Sequence, residues 1–147
     1  MSYAYTQVML YRPFLHYVSR TCKSKSVDKR SYACAATCVS VSRNVIHITT
    51  EMMRRNLLIG AYWFTMYTTF FAILSLVFFA LENPDNPTSQ EVLRDAYEGK
   101  ETLTQLAKRS MAADRCSATL EVSFKFASLF IAILTSTRHY LTNFQNV

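Results

Sequence analysis

The longest apolar segment of the chain runs from Leu57 to Leu81 and contains no charged residue. Arg54 and Arg55 precede this segment, and Glu82 follows it. A helix needs about 20 apolar residues to cross a bilayer, so the segment is long enough to span. A helix that is apolar on all sides is equally typical of the centre of a helical bundle. The pattern therefore predicts one helix with two alternative surroundings, lipid or protein.

Three further segments have the periodicity of amphipathic helices. The first runs from about Ser31 to Arg55, the second follows Thr88, and the third starts at Ser110, each with apolar residues at steps of three and four. The predicted buried faces are Cys34, Cys38, Val41, Val45, Ile48 and Met52; Val92, Ala96, Gly99, Leu103 and Leu106; and Ala113, Cys116, Leu120, Phe124, Ala127, Ile131 and Leu134. An additional N-terminal helix is expected to kink or restart at Pro13. We predict an all-α bundle around a central apolar helix at about residues 57–81, as an incomplete piece of a larger α domain.

The connection after the apolar segment reads "ENPDNPTSQ". Its two Asn-Pro pairs force the backbone out of helical geometry, which predicts a hinge loop at residues 82–89. Thr88 and Glu91 have the spacing of a capping box for the next helix. Gly99 within that helix costs about 1 kcal/mol relative to alanine. Its presence indicates close approach of a neighbouring helix.

The net charge of +6 is concentrated in the N-terminal third, chiefly in a predicted basic loop at residues 20–30. Such a loop could serve nuclear import or contact phosphate. A solvated loop is the simpler interpretation, because no aromatic residue lies between these charges to stack on bases. The chain has only two glycines, and this scarcity disfavours the tight turns of an all-β fold.

Four cysteines, Cys22, Cys34, Cys38 and Cys116, show neither the pattern of a secreted disulfide framework nor the paired spacing of a zinc site. His47 is the nearest candidate ligand to Cys38, but a continuous helix places it on the opposite side. We expect these cysteines to be reduced, buried thiols that pack as small apolar groups.

The distribution of polar residues favours a protein core over lipid for the apolar segment. Its polar aromatic residues, Tyr62, Trp63 and Tyr67, occupy one end only, whereas a spanning helix has aromatic residues at both interfaces. The three amphipathic helices also need an apolar partner, which a central helix would supply. The membrane span remains the alternative.

Three blocks, in the same order along the chain, resemble the fungal-specific transcription factor domain, the middle homology region of the zinc-cluster regulators. "QVMLYRPFL" is similar to a helix that ends in a Leu-(His or Tyr)-Arg-Pro-Phe signature, and "YWFTMYTTFFAILSLVFFALENP" resembles the long apolar helix of that domain. "LTQLAKRSMAADRCSATLEVSF" resembles the closing pattern, whose positions here are Ser110, Ala113, Arg115, Cys116 and Leu120.

The resemblance implies a partial regulatory domain, over residues 1–147, of a nuclear transcription regulator. Members usually carry an N-terminal cluster of six cysteines that holds two zinc ions and reads DNA. The four cysteines of this chain cannot rebuild that cluster, so we expect no cofactor here and DNA contact only through a domain that is missing from a truncated chain. The implied partners are other segments of the regulator, co-regulators or a small effector, with contact to a membrane disfavoured.

Four residues are candidate contacts for an effector or partner. Arg12 lies in the Arg-Pro-Phe signature, where the alternative is a structural cap or ion pair beside Pro13. Tyr62, Trp63 and Tyr67 could line an apolar pocket, and tight core packing is the simpler interpretation of this cluster.

The sequence indicates no catalytic and no metal-binding residue, because its histidines are widely separated and its glycines cannot build a phosphate loop. We therefore expect a regulatory domain that is not an enzyme. The alternative is a small membrane protein with a single span at residues 57–81.

Overall fold

A computed structural model describes the backbone of residues 1–18, 28–58, 63–84 and 86–145, with side chains except at 18, 131 and 134–145. The described residues form α1 (Ser2–Tyr11), a 3₁₀ helix (Arg12–Val18), α2 (Lys29–Arg54), α3 (Trp63–Glu82), α4 (Pro87–Ala107) and α5 (Met111–Gln145). This arrangement confirms the predicted all-α fold. Helix α3 is central, because it contacts α1, the 3₁₀ helix, α2, α4 and α5.

Helix α2 begins at Lys29, and its N-cap is Asp28, whose side chain accepts a hydrogen bond from the Arg30 N–H. The predicted basic loop at residues 20–30 is therefore wrong at its last two residues, which are helical, and its residues 20–27 lie outside the described ranges. Cys38 and Val45 are buried as the periodicity predicted, but Ile48 is 45% exposed, so its predicted burial is wrong. The buried face is centred near Ser42, and Ile48 lies about 120° around the helix from that residue. The core-facing positions after Val45 are instead Ile46, Thr49 and Thr50.

The buried threonines of α2 are tolerated because their hydroxyl groups are hydrogen-bonded. Thr49 Oγ1 lies 2.8 Å from Thr69 Oγ1 on α3, and Thr50 Oγ1 lies 3.0 Å from Thr102 Oγ1 on α4. A buried polar group with a partner avoids the penalty of desolvation. Hydroxyl pairs therefore join α2 to α3 and to α4 inside the core.

Helix α3 begins at Trp63, later than the predicted start at Leu57. Leu57 and Leu58 precede the helix, and residues 59–62 lie outside the described ranges. Met66, Ile73 and Leu76 are completely buried. Among the described residues, α3 is the one helix whose length and composition would allow a membrane span, a criterion that core helices of soluble proteins also meet.

The hydroxyl residues of α3 bond to its own backbone. Thr68, Thr69 and Ser75 donate to the carbonyl oxygens four residues earlier, at distances of 2.7–2.9 Å. This local bonding satisfies side chains that face the core. It explains how a central helix accommodates polar residues that do not interrupt it.

The connection between α3 and α4 is shorter than the predicted hinge loop at residues 82–89. Glu82 is still helical, and α4 already starts at Pro87. The N-cap is Asn86, whose side-chain oxygen accepts from the Thr88 N–H at 3.0 Å, so the predicted cap at Thr88 is wrong. Proline is favoured at the first helical position because its missing N–H needs no partner there.

All five predicted core positions of α4 are buried, including Gly99. A Cβ atom at Gly99 would lie 2.9 Å from Ile73 Cγ1 on α3 and 3.1 Å from Ile46 Cγ2 on α2. Both distances are shorter than ordinary carbon–carbon contacts. The close approach predicted from this glycine is confirmed.

Helix α5 follows Ser110, whose hydroxyl group accepts from the Ala113 N–H at 3.5 Å. Its predicted face is buried at Ala113, Cys116, Leu120, Phe124 and Ala127. The predicted positions Ile131 and Leu134 have side chains outside the described set. Two phenylalanines on other faces of the helix, Phe126 and Phe130, are exposed.

Candidate functional site

Arg12 lies at the junction between α1 and the 3₁₀ helix. Arg12 directly follows α1, and its backbone N–H donates to Val8 O four residues earlier. Its guanidinium lies over the ring of Phe71 on α3, 5.6 Å from the ring centroid. This is the geometry of a cation–π contact. Arg12 therefore joins the N-terminal segment to the central helix.

Trp63 and Tyr67 lie at the N-terminal end of α3, and Tyr62 is outside the described residues. Trp63 is 60% exposed and packs edge to face on Phe64 and Tyr67, with ring centroids 6.0 and 6.1 Å apart. The interpretation as tight core packing is therefore wrong for Trp63. Its position at the first residue of the helix places it at the edge of the bundle, where it is accessible to a partner.

The candidates Trp63, Tyr67 and Arg12 follow one side of α3. Residues 63, 67 and 71 are four apart, so successive side chains lie on the same face at intervals of about 6 Å. Arg12 contacts the third of these positions, Phe71. The structure thus places the three described candidates in a row along α3.

Arg12 also lines a groove that Trp63 and Tyr67 do not reach. The groove has a volume of about 590 Å³ and lies between the N-terminal segment, the C-terminal half of α3 and α5. Its apolar lining is Met9, Leu15, Leu74, Val77, Phe78 and Leu81, besides Pro13. Polar groups come from Arg12, His16, Ser75 and Ser123.

The sequence did not identify the lining residues on α3 and α5. Because α3 is apolar around its circumference, no periodicity separates the groove residue Phe78 from the core residue Leu76. Ser123 carries no signal of its own, since serine is common on exposed helix faces. Only the arginine of the Arg-Pro-Phe segment indicated this region.

The buried thiol of Cys38 lies near two residues that line the groove, Arg12 and Ser75. Burial raises the pKa of the Cys38 thiol to about 11, although the nearby charge of Arg12 acts in the opposite direction. Burial also raises the pKa of Cys116. Both cysteines are free and buried, and Cys34 is free and half-buried, while Cys22 lies outside the described residues.

A second groove, of about 820 Å³, lies between α2 and α4. Arg43 on α2 and Asp95 on α4 form an ion pair within it, and Arg54 pairs with Glu98 at 3.3 Å. The charges that could hold a ligand here already neutralise each other. Within the ranges that the structure describes, no three His, Cys, Asp or Glu side chains are grouped as metal ligands would be.

Comparison with known proteins relates the chain to fungal transcription regulators. It is 38% identical to Activator of stress genes 1 of Saccharomyces cerevisiae over 130 residues, which cover 85% of this chain and 14% of that protein. It is 41% identical to Activator of stress genes protein 1 of Candida albicans over 73 residues, which cover 50% of this chain and 7% of that protein. A second S. cerevisiae protein, named as a transcriptional regulatory protein, is 28% identical over 130 residues, 85% of this chain and 17% of its own length.

The chain thus spans about one seventh of the length of the first of these relatives. No family model matches the chain. No solved structure matches it. The relatives support the class of protein indicated by the sequence blocks, fungal transcription regulators, and leave the assignment to one particular domain as a proposal.

Proposed function

We propose that this chain is a regulatory and interaction segment of a fungal transcription regulator, corresponding to part of the middle homology region. The supporting observation is the 38% identity to Activator of stress genes 1 across 85% of the chain. The all-α fold with a central apolar helix agrees with what the sequence blocks implied. The segment acts in the nucleus by binding other parts of the regulator or co-regulators.

In this proposal the chain performs no catalysis and needs no cofactor of its own. Reading of DNA belongs to a zinc cluster elsewhere in the full-length protein. The exposed Trp63, with the half-buried Tyr67 beside it, offers an aromatic surface of the kind that is enriched in protein interfaces. Changes in what this surface or the Arg12 groove binds would bias the activity of the regulator.

A segment exchange tests this role in a living cell. The matching 130-residue segment of S. cerevisiae Activator of stress genes 1 is replaced with the corresponding part of this chain. Transcription of its target genes is then measured beside a deletion of the segment and a replacement with an unrelated helical bundle. We expect the exchange to restore transcription where both controls fail. An exchange that performs no better than the deletion would refute the proposal.

The alternative function is that of a membrane protein with a single span, and the length and composition of α3 favour it. Against it, α3 is contacted by every other helix of the described bundle. Alkaline extraction of membranes from cells that express the chain separates the two. If the chain is a segment of a regulator, we expect alkaline extraction to release it into the supernatant. A protein that spans the membrane would stay with the lipid.

The substitution Ala72→Lys also distinguishes a regulator segment from a membrane-spanning protein. Ala72 is completely buried in the middle of α3, so this charge would unfold the bundle and cause aggregation. In a spanning helix the same substitution would block membrane insertion.

A further inference from the structure

The groove beside Arg12 has the size and lining of a small-molecule site. Its volume of about 590 Å³ lies within the range of about 300–1,000 Å³ that such sites occupy. Most of the lining is apolar, and the few polar groups include a single residue with a permanent charge, Arg12. This combination is typical of sites that bury an apolar ligand and orient it by one polar group.

Arg12 has no acidic partner within the part of the chain that the structure describes. The ion pairs of that part involve Arg43, Arg54, Arg55 and Lys125, and none includes Arg12. The Cys38 thiol nearby stays neutral at physiological pH because burial raises its pKa to about 11. Since no described acidic residue pairs with Arg12, its half-buried guanidinium is available to pair with an anion.

The apolar lining on α3 continues away from Arg12 in one direction. Leu74, Phe78 and Leu81 lie three or four residues apart, so they form a strip of about 10 Å along the helix. Phe78 is 37% exposed, although it belongs to the most apolar helix of the chain. An elongated apolar group on this strip would cover it and place one end near Arg12.

We propose that this groove binds an elongated apolar carboxylate, with the carboxylate paired to Arg12 and the apolar body on Leu74, Phe78 and Leu81. Arginine suits this role because its planar guanidinium can pair with both oxygens of a carboxylate. The proposal rests on the regulatory function above, in which the ligand acts as an effector of the segment. Ser75 and Ser123 also line the groove, and their hydroxyl groups donate to the carbonyl oxygens of Phe71 and Thr119.

Titration calorimetry of the purified 147-residue chain with decanoate and with decan-1-ol tests the binding. The two probes share an apolar chain and differ in charge. Decanoate is used below its critical micelle concentration and decan-1-ol below its solubility limit in water. We expect saturable binding of one decanoate per chain, and binding of decanol that is about tenfold weaker or more. Equal affinity for both probes, or no binding of decanoate, would overturn the proposal.

Variants assign the binding to the groove. Arg12→Met keeps the apolar stem of the side chain and should lower the affinity for decanoate about tenfold without changing that for decanol. Arg12→Lys, which keeps the charge, should restore part of the loss. Arg94→Met removes an exposed arginine of α4 that does not line the groove, and it should bind both probes like the natural chain.

Ser123→Phe fills the groove from α5 and should abolish binding of both probes. Circular dichroism checks that each variant is folded before its affinity is interpreted. Unchanged decanoate binding in Arg12→Met or in Ser123→Phe would show that the probe binds elsewhere, and the proposal would fail. The segment exchange in yeast does not use these probes, so its result tests the regulatory function separately from the ligand.

Discussion

At Gly99, α4 packs closely against both α3 and α2. The absence of a side chain lets α4 approach Ile73 of α3 and Ile46 of α2, and both isoleucines are themselves buried. Leucine is a better helix former than glycine, so Gly99→Leu would stabilise an isolated helix by somewhat less than about 1 kcal/mol. In the bundle the added atoms must displace core side chains, and this steric cost outweighs the gain.

We expect Gly99→Leu to lower the free energy of unfolding by about 2 kcal/mol or more, within the range observed for overpacked cores. Urea unfolding followed by circular dichroism measures this change. Gln90→Leu introduces the same residue on the exposed side of α4 and should change stability by less than about 0.5 kcal/mol. Equal stability of the two variants would contradict the close packing at Gly99.

The buried thiol of Cys38 makes the stability of the folded chain decrease at alkaline pH. Its pKa is about 11 in the folded chain and 9.0 when unperturbed, so above pH 9 the unfolded chain loses the proton first. Its contribution is therefore complete below pH 9 and is lost as the pH rises toward 11. A difference of about 2 pKa units corresponds to about 2–3 kcal/mol.

We expect the stability of the natural chain to fall more steeply between pH 9 and pH 11 than that of Cys38→Ala. The comparison between the two chains removes the contribution of tyrosines and lysines, which titrate in the same range in both. Urea unfolding at several pH values measures the two slopes. Parallel slopes would show that the thiol is not shielded from water.

Two phenylalanines of helix α5, only two residues apart, differ in how far they are buried. Phe124 is 3% exposed, and its ring centroid lies 4.6 Å from that of Tyr97 on α4, whereas Phe126 is 73% exposed. Phe124→Ala should cost about 3 kcal/mol or more of unfolding free energy, because it removes a buried aromatic ring. Phe126→Ala should change it by less than about 0.5 kcal/mol.

Chemical denaturation of both alanine variants beside the natural chain checks this pair. The two variants remove the same atoms two residues apart on one helix, so any difference in helix propensity cancels. Similar losses at both positions would mean that α5 packs on a face different from the one described.

Amphipathic elements were predictable from the sequence because their polar residues mark the outer side. All five predicted core positions of α4 and the first five of α5 are buried. The face of α2 was misjudged at Ile48, because buried threonines replace apolar residues on the true core side. A hydrophobic pattern cannot reveal a threonine whose hydroxyl group is bonded in the core.

The sequence predicted α3 as the central apolar helix, but it did not predict which side of α3 is exposed or where the groove lies. The polar residues of α3, such as Thr68, Thr69 and Ser75, face the core and do not mark an outer side. Its exposed residues Trp63 and Phe78 therefore have the same appearance in the sequence as its buried apolar ones. The groove also joins residues that are distant along the chain, such as Arg12 and Ser123. These residues come together only through tertiary packing, and the periodicity of a single helix carries no information on such contacts.

The bundle as a whole is built around α3, which is surrounded by protein. Four helices and the 3₁₀ helix contact α3. The buried residues of α3 belong to the same hydrophobic core as the buried residues of those helices. The grooves and aromatic surface described above exist only if this bundle forms in water. A chain inserted in lipid would lose the contacts that create them.

Fluorescence of the single tryptophan, Trp63, distinguishes protein from lipid around α3. The residue begins α3 and is 60% exposed, so it reports on the surroundings of this helix. In the presence of vesicles whose acyl chains carry bromine, the account predicts quenching by iodide in the water and none by the brominated lipid. Quenching by the lipid, with protection from iodide, would contradict it.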